Sequence, residues 1–324
     1  MKGRPAEPGT GRKNRVALWV FCILILAAVL CLPVLADVPA MVENISQGPV
    51  VAHVGVYVAD FRRFSVSDGT VDTNFYLNIR SDDANLSIND FEFPNGHMNS
   101  VDIIQNTPEE KNYRIFASLT ADPDLRRFPF DNHTLSIIIE PKSLNEKQLI
   151  ISVDQSQTGI APAARMPGWE FTGSNAYATN QSYVTDEVPY SRAVFDYGIA
   201  RDTASTLLKF FLPISLIIVV SLASLLMKVS SRLGLNASMF LAAVLIHWRI
   251  ADAIPLVAYA TFLDMFMIIT YATLVMVLVS GILILMYNEA KNSERVAAVY
   301  QLSLRIIPAV SITMYFLLFL SLAL

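Results

Sequence analysis

Seven residues in the second half of the chain share a spacing. Ser231, Gly234, Ser238, Leu241, Leu245, Trp248 and Asp252 follow one another at steps of three and four, which stacks side chains along one side of an α-helix. The stripe runs from small and polar through apolar to acidic. The rest of the segment (Met239, Phe240, Ala243, Val244, Ile250) is mostly apolar, yet it carries Asn236, His247 and Arg249, which hydrocarbon does not accept without partners. A helix of this kind needs water on one side. Copies placed around an axis would supply it: small hydroxyls at one mouth, rings of Leu241 and Leu245 that close by dewetting, and a carboxylate ring at the other mouth. The same pattern also fits a polar seam packed against neighbouring helices.

Catalytic chemistry has no comparable pattern. There is no Gly-rich phosphate loop, no His-x-x-x-His pair, no nucleophile elbow and no Cys/His set. Of the four histidines, His53 alternates within a strand pattern, His97 and His133 sit near turns, and His247 alone lies in an apolar segment. Scattered single histidines are structural more often than catalytic. The sequence therefore reads as a non-enzyme without cofactors.

The elements that must position the stripe follow from composition. With 324 residues, 53% hydrophobic and 16% charged, the chain is too apolar for an ordinary soluble protein and too polar to lie wholly in a membrane. A soluble domain joined to a membrane domain satisfies both figures. Formal net charge is -4 although the first fifteen residues are basic, and no basic block remains that would meet nucleic acid. That basic start, the apolar run Val16 to Leu32 and the small residues up to Ala36 read as a secretory signal peptide over 1–36, with an uncleaved anchor as the alternative. Cys22 and Cys31 both lie inside it, so the mature chain is expected to hold neither a disulfide nor a thiolate metal site.

From 37 to about 204, short runs rich in β-branched and aromatic residues alternate with turn signals. The runs are Val50–Ala59, Phe75–Arg80, Tyr113–Leu119, Thr134–Ile139 and Gln148–Val153; Ser67-Asp68-Gly69, Pro94-Asn95-Gly96 and Asp122-Pro123-Asp124 lie between them. A single β-sandwich is the economical reading. Residues 205–324 then hold four apolar spans, at about 207–227, 232–253, 265–287 and 306–324, each long enough for ~30 Å of hydrocarbon. Lys228 and Arg232 lie between the first two, Lys291 and Arg295 between the last two, and no basic residue lies in 253–263. This charge bias places the loops at 228–232 and 288–295 in the cytoplasm and puts the β domain and the C-terminus outside.

One short motif adds a family to this reading. Phe128-Pro129-Phe130-Asp131, preceded by Asp124-Leu125-Arg126-Arg127 and followed by the run Thr134–Ile139, resembles the signature loop of pentameric ligand-gated ion channels, the Cys-loop receptor superfamily. A proline turn between strands is the plain alternative for the tetrad alone. The two cysteines that bracket the loop in animal members are replaced by Ala121 and Leu135, as in bacterial members. Arg201 falls twelve residues before Pro213, Pro255 follows the second span, and the loop between spans three and four is too short for a cytoplasmic domain. The resemblance covers essentially the whole mature chain and is strongest over Ser230 to Asp264.

It implies a homopentamer around a central pore, each subunit an all-β extracellular sandwich followed by an all-α four-helix transmembrane domain. Such a chain would be a multi-pass protein of the bacterial inner membrane, with the sandwich and C-terminus in the periplasm, in contact with lipid and passing monovalent cations. The second span would line the pore, with Leu241 and Leu245 at the hydrophobic gate, Trp248 as a further constriction and Asp252 drawing cations to the outer mouth. Ser230 and Ser231 stand where bacterial cation channels of the family carry a glutamate next to the arginine matched by Arg232, so an anion-selective channel is the alternative. Arg232 itself would point away from the axis, with anchoring to lipid phosphate as the other option. A membrane-anchored sandwich that senses without conducting is the remaining class.

The ligand site would lie between adjacent sandwiches. Tyr177 and Tyr190 match aromatic positions on the capping hairpin, Tyr183 lies on the same hairpin, and Phe75 or Tyr76 matches an aromatic of the facing subunit. After Glu140-Pro141, amine-binding relatives present an aromatic ring where this chain has Lys142. A resident ammonium repels a primary amine, so the expected stimulus is an anionic small molecule or a rise in pH that discharges Lys142 or tyrosines; a Lys142 turned into solvent is the alternative. Coupling to the pore would run where Phe128, Pro129, Phe130, Asp131 and the turn with Asp68 meet residues 253–263, including Pro255. Arg201 would pair there with Asp131 or Asp68.

Overall fold

The computed structural model describes residues 48–323 apart from 253. The expected signal peptide, with both cysteines, lies outside them. The described chain is a β-sandwich followed by four helices long and apolar enough to cross a membrane.

Ten strands build the sandwich: β1 (Val50–Ser65), β2 (Thr70–Ser81), β3 (Phe91–Glu92), β4 (Gly96–Asn106), β5 (Glu110–Thr120), β6 (Asn132–Pro141), β7 (Leu149–Val153), β8 (Gly159–Ile160), β9 (Trp169–Gln181) and β10 (Tyr190–Arg201). One sheet has the order β4-β5-β2-β1-β7, with β8 also on β1; the other has the order β3-β6-β10-β9. Alternation sets the core. Val54, Val56, Val58, Phe75, Leu77 and Ile115 from the first sheet meet Leu135, Ile137, Ile139, Phe195 and Tyr197 from the second. The five expected strands are present, four of them longer than expected and β7 one residue shorter. Of the five others, β3 and β8 are two residues long, and β4, β9 and β10 lack a continuous β-branched run: β9 is made mostly of small and polar residues and is mostly exposed, so pairing with β10 rather than burial organises it. At the β1–β2 turn Gly69 has φ +60, and a Cβ there would lie 2.9 Å from the Ala121 carbonyl oxygen.

Helix α1 (Thr203–Leu226) begins two residues after β10 ends. Asp202 caps it, accepting from the Ser205 N–H at 2.6 Å. Pro213, which has no N–H to donate, follows a π-helical turn over Leu207–Phe211. Helix α2 (Val229–Ala251) holds the stripe, and helix α3 (Phe262–Glu289) opens on a capping box in which Thr261 and Asp264 satisfy each other's backbone N–H. Helix α4 (Ser293–Ala323) starts thirteen residues before the apolar span expected at 306. Hydropathy detects the part of a helix that meets hydrocarbon, whereas α4 continues past it. The connection between α3 and α4 accordingly shrinks from the expected 288–295 to residues 290–292, and Arg232 lies inside α2 rather than in a loop.

Candidate functional site

Helix α2 has two unlike sides. All seven residues of the stripe are exposed in the single chain, with Leu241 at 60%, Leu245 at 53% and Trp248 at 67%. The opposite side buries Arg232, Asn236, Ala243 and Ile250 against the other helices. Asn236 bonds to Ser221 and Ser224 of α1. The Arg232 guanidinium donates to Ser280 Oγ and to the Val277 carbonyl of α3. Arg232 is 1% exposed, so its side chain lies inside the bundle rather than anchored to lipid, with Nε and Nη1 left without a partner among the described residues. Gly281 makes this approach possible, since a Cβ there would sit 2.8 Å from Leu233 Cδ2.

Two further features of α2 escape a reading of the stripe alone. Arg249, exposed, follows Leu245 by four and precedes Asp252 by three, so a cation shares the face one turn below the carboxylate. His247 is held by the Tyr271 hydroxyl of α3 at 3.0 Å, which makes it an interhelical tie.

At the domain junction the Phe128–Asp131 loop packs into the helices. Phe130 stacks on Phe211 of α1 and meets Phe262 of α3 edge-on, while Phe128 meets Phe210. The N–H groups of Phe262 and Leu263 donate to the Arg126 and Phe128 carbonyls at 2.9 and 3.1 Å. Across a cavity of about 370 Å³, Ser67, Asp68 and Gly69 face Pro255, Val257 and Tyr259. The loop thus meets the expected stretch 253–263 at Phe262 and Leu263, which are already the first turn of α3 because that helix begins three residues before the expected span.

Arg201 pairs with Asp131, not with Asp68. Its Nε and one terminal nitrogen donate to the two Asp131 oxygens at 2.8 and 2.9 Å, whereas Asp68 accepts from Ser65 within its own turn. The arginine also lies 4.2 Å from the Trp169 ring and 5.1 Å from Phe128. His133, expected only near a turn, contacts the same carboxylate at 2.6 Å and packs against Phe64 and Trp169. Burial alone would raise the Asp131 pKa; the hydrogen bonds from His133 and Arg201 outweigh it and bring it to about 2. His133 and Trp169 join the junction by strand register, since His133 pairs with Ile199 and Trp169 with Arg201.

The expected ligand residues divide by side of the sheets. Phe75 is fully buried against Phe93, so it drops out of the pair Phe75/Tyr76 and only Tyr76 reaches the surface. There the Arg114 guanidinium lies 5.9 Å from the Tyr76 ring and, with Arg62, flanks Phe116 at 5.2 and 4.7 Å. Neither arginine is in an ion pair among the described residues. On the other sheet, Tyr177 pairs with Val194 and so shares the outer face with Arg192 and Tyr190. Tyr183 meets Tyr190 at 5.9 Å and donates to the buried Glu140 at 2.7 Å, which Arg192 also binds. That bond to Glu140 raises the Tyr183 pKa. Lys142 is exposed, its backbone N–H fixed to the Asp90 carbonyl.

No family model matches the chain. Over 108 residues it is 24% identical to a protein of Gloeobacter violaceus named as a proton-gated ion channel. The matched stretch covers 33% of this chain and 30% of that protein. The chain is thus a multi-pass membrane protein, a β-sandwich on four apolar helices, with a distant similarity to an ion channel.

Proposed function

We propose that the chain is one subunit of a homopentameric ligand-gated ion channel of the Cys-loop receptor superfamily. The two-sided α2 helix carries the reading. A stripe of serine, glycine, leucine, tryptophan and aspartate left open by a bundle that buries the opposite side is what a shared aqueous axis requires. The similarity to a proton-gated ion channel supports the same class. Ser231, Gly234, Ser238, Leu241, Leu245, Trp248 and Asp252 line the pore in this reading, with Leu241 and Leu245 as the gate. Asp131, Arg201 and the Phe128–Phe130 loop transmit the signal from the sandwich to the first turn of α3 and to Pro255. The sandwich stands in the periplasm and the four helices in the inner membrane.

Cation selectivity rests on Asp252. Arg249 on the same face favours the second reading, an anion-selective pore, because it sets a ring of positive charge beside the carboxylates. For the stimulus, Tyr76 brings Arg114 and Arg62 with it, and guanidinium groups held on aromatic rings without an acidic partner among the described residues suit a carboxylate. The pocket between Tyr76 on one subunit and Tyr177, Tyr183, Tyr190 and Lys142 on the next is then selective for small anions. Titration of Tyr183 at mildly alkaline pH is disfavoured by its bond to Glu140, which favours the anionic ligand over a rise in pH as the stimulus.

Currents from the purified protein in a planar bilayer under a NaCl gradient, with pH steps and small carboxylates applied, test both parts. Opening with reversal near the sodium potential supports the cation channel. Reversal near the chloride potential assigns selectivity to Arg249. A bilayer silent under every condition, with assembled protein present, contradicts the channel.

A further inference from the structure

The face of the β3-β6-β10-β9 sheet turned away from the core changes character along its strands. Nearer the β9–β10 hairpin one row across β6, β10 and β9 is apolar, Ile138, Val194 and Tyr177. Two residues further along, on the same face, the row is Ser136, Asp196 and Asn175, and the next is Thr134, Gly198 and Gly173. Over these last two rows lies an open cavity of about 350 Å³, lined by Asp196, Asn175, Thr134, Thr172 and both glycines. Its volume falls in the ~300–1,000 Å³ of small-molecule sites. None of its lining residues belongs to the expected pocket between sandwiches or to the domain junction.

The shape comes from a bulge and two missing side chains. A register shift between Gly198 and Ile199 leaves Thr172 as an extra residue of β9, and a bulge of this kind re-aims a side chain. The Thr172 hydroxyl occupies the space over Gly198, where a Cβ would lie 2.5 Å from Oγ1. At Gly173 a Cβ would meet nothing within 4 Å, so the floor there is bare backbone. Asp196 stands at the centre. Its Oδ1 accepts from the Ser136 hydroxyl at 2.6 Å, and it forms no ion pair among the described residues. Around it, the exposed Thr134 hydroxyl and Asn175 carboxamide can each donate and accept.

We infer that this cavity binds a neutral saccharide, one hexose ring with neighbouring hydroxyl groups donating to the Asp196 carboxylate. The donor set selects that chemistry. An anion would be repelled by Asp196, and a single carboxylate is a poor match for a divalent cation that takes six or more oxygen ligands. A wholly apolar ligand would strip water from Asp196, Asn175 and the threonines without replacing its hydrogen bonds. A pyranose ring matches both halves of the surface: hydroxyls on its edge for the polar row, and C–H faces for the glycine floor and the apolar row beside it.

Saturation-transfer NMR on the full chain in phosphatidylcholine nanodiscs, free of sugar-headed detergent, tests this independently of conduction. The probes are methyl glucoside, methyl galactoside, methyl mannoside and N-acetylglucosamine. Ring protons of at least one are expected to be saturated. Gly173→Val, which sets a side chain into open space on the cavity floor, should abolish the signal, and Asp196→Ala should weaken binding at least about tenfold. Saturation of none of the four probes overturns the site, as does saturation unmoved by both variants. Loss of the signal on Lys142→Gln with Gly173→Val unaffected would move the sugar to the pocket between sandwiches and overturn it as well.

Discussion

Arg201 and Arg232 lie at opposite ends of the helical domain, and the protein treats them differently. Arg201 donates twice to one carboxylate, stacks on Trp169 and sits beside a second donor to the same acid, His133. Arg232 is more deeply buried, reaches one hydroxyl and one carbonyl, and leaves two donor nitrogens without a protein partner. The junction is therefore a closed electrostatic unit, its acid and its cations satisfied by one another. The inner end of the bundle holds a buried guanidinium that meets no carboxylate among the described residues. A buried ion pair is strongly destabilising to break, whereas a buried charge lacking its partner is readily replaced by an apolar side chain.

The sharpest way to break this contrast is to remove the junction's acid. Asp131→Asn leaves Arg201 without its counter-charge, and a loss of about 3–5 kcal/mol is expected, read as a fall in the unfolding midpoint of the purified protein. A loss below about 1 kcal/mol would class the pair with exposed ion pairs. Acid should act at the same place more gently. The Asp131 pKa lies below its ordinary 3.8, at about 2, so its stabilisation is fully present above pH 4 and is lost as pH falls through 2. The linked change is about 2 kcal/mol, and Asp131→Asn should flatten that part of the stability profile.

Smaller effects are expected at the inner end. Gly281→Ala drives a methyl into Leu233 and should lower stability by about 1–2 kcal/mol, whereas the same change at Gly173, with nothing within 4 Å, lacks that clash. Arg232→Met is expected to be the mildest of all, neutral or stabilising on the unfolding midpoint. A large destabilisation by Arg232→Met would show that the protein satisfies this charge itself and would erase the difference from Arg201.

What could be read in the sequence follows the same division. Repeating patterns were legible: the α2 stripe, the five β-branched strands and the apolar spans all come from local periodicity or composition. The Phe128–Asp131 tetrad and Arg201 were legible as a motif, and their pairing came down to two candidate acids. His133 and Trp169 were not, because only the register of β6, β9 and β10 brings them to Asp131. Phe75 and Tyr76 were ambiguous for the opposite reason: adjacent strand residues face opposite ways, and nothing local says which side is the core. Arg249 was visible but counted as a burden on the apolar side, although its spacing from Leu245 and Asp252 puts it on the stripe.

In the proposed channel the exposed side of α2 faces the ion path. The described residues contain no cysteine, so single cysteines can be placed at Ser238, Leu241 and Leu245 and, as the buried control, at Ala243. Charged thiol reagents applied to open channels should block current through the first three and leave Ala243→Cys untouched. Block at Ala243→Cys alone, or at none of the four in channels that conduct, would place the path elsewhere and contradict the account.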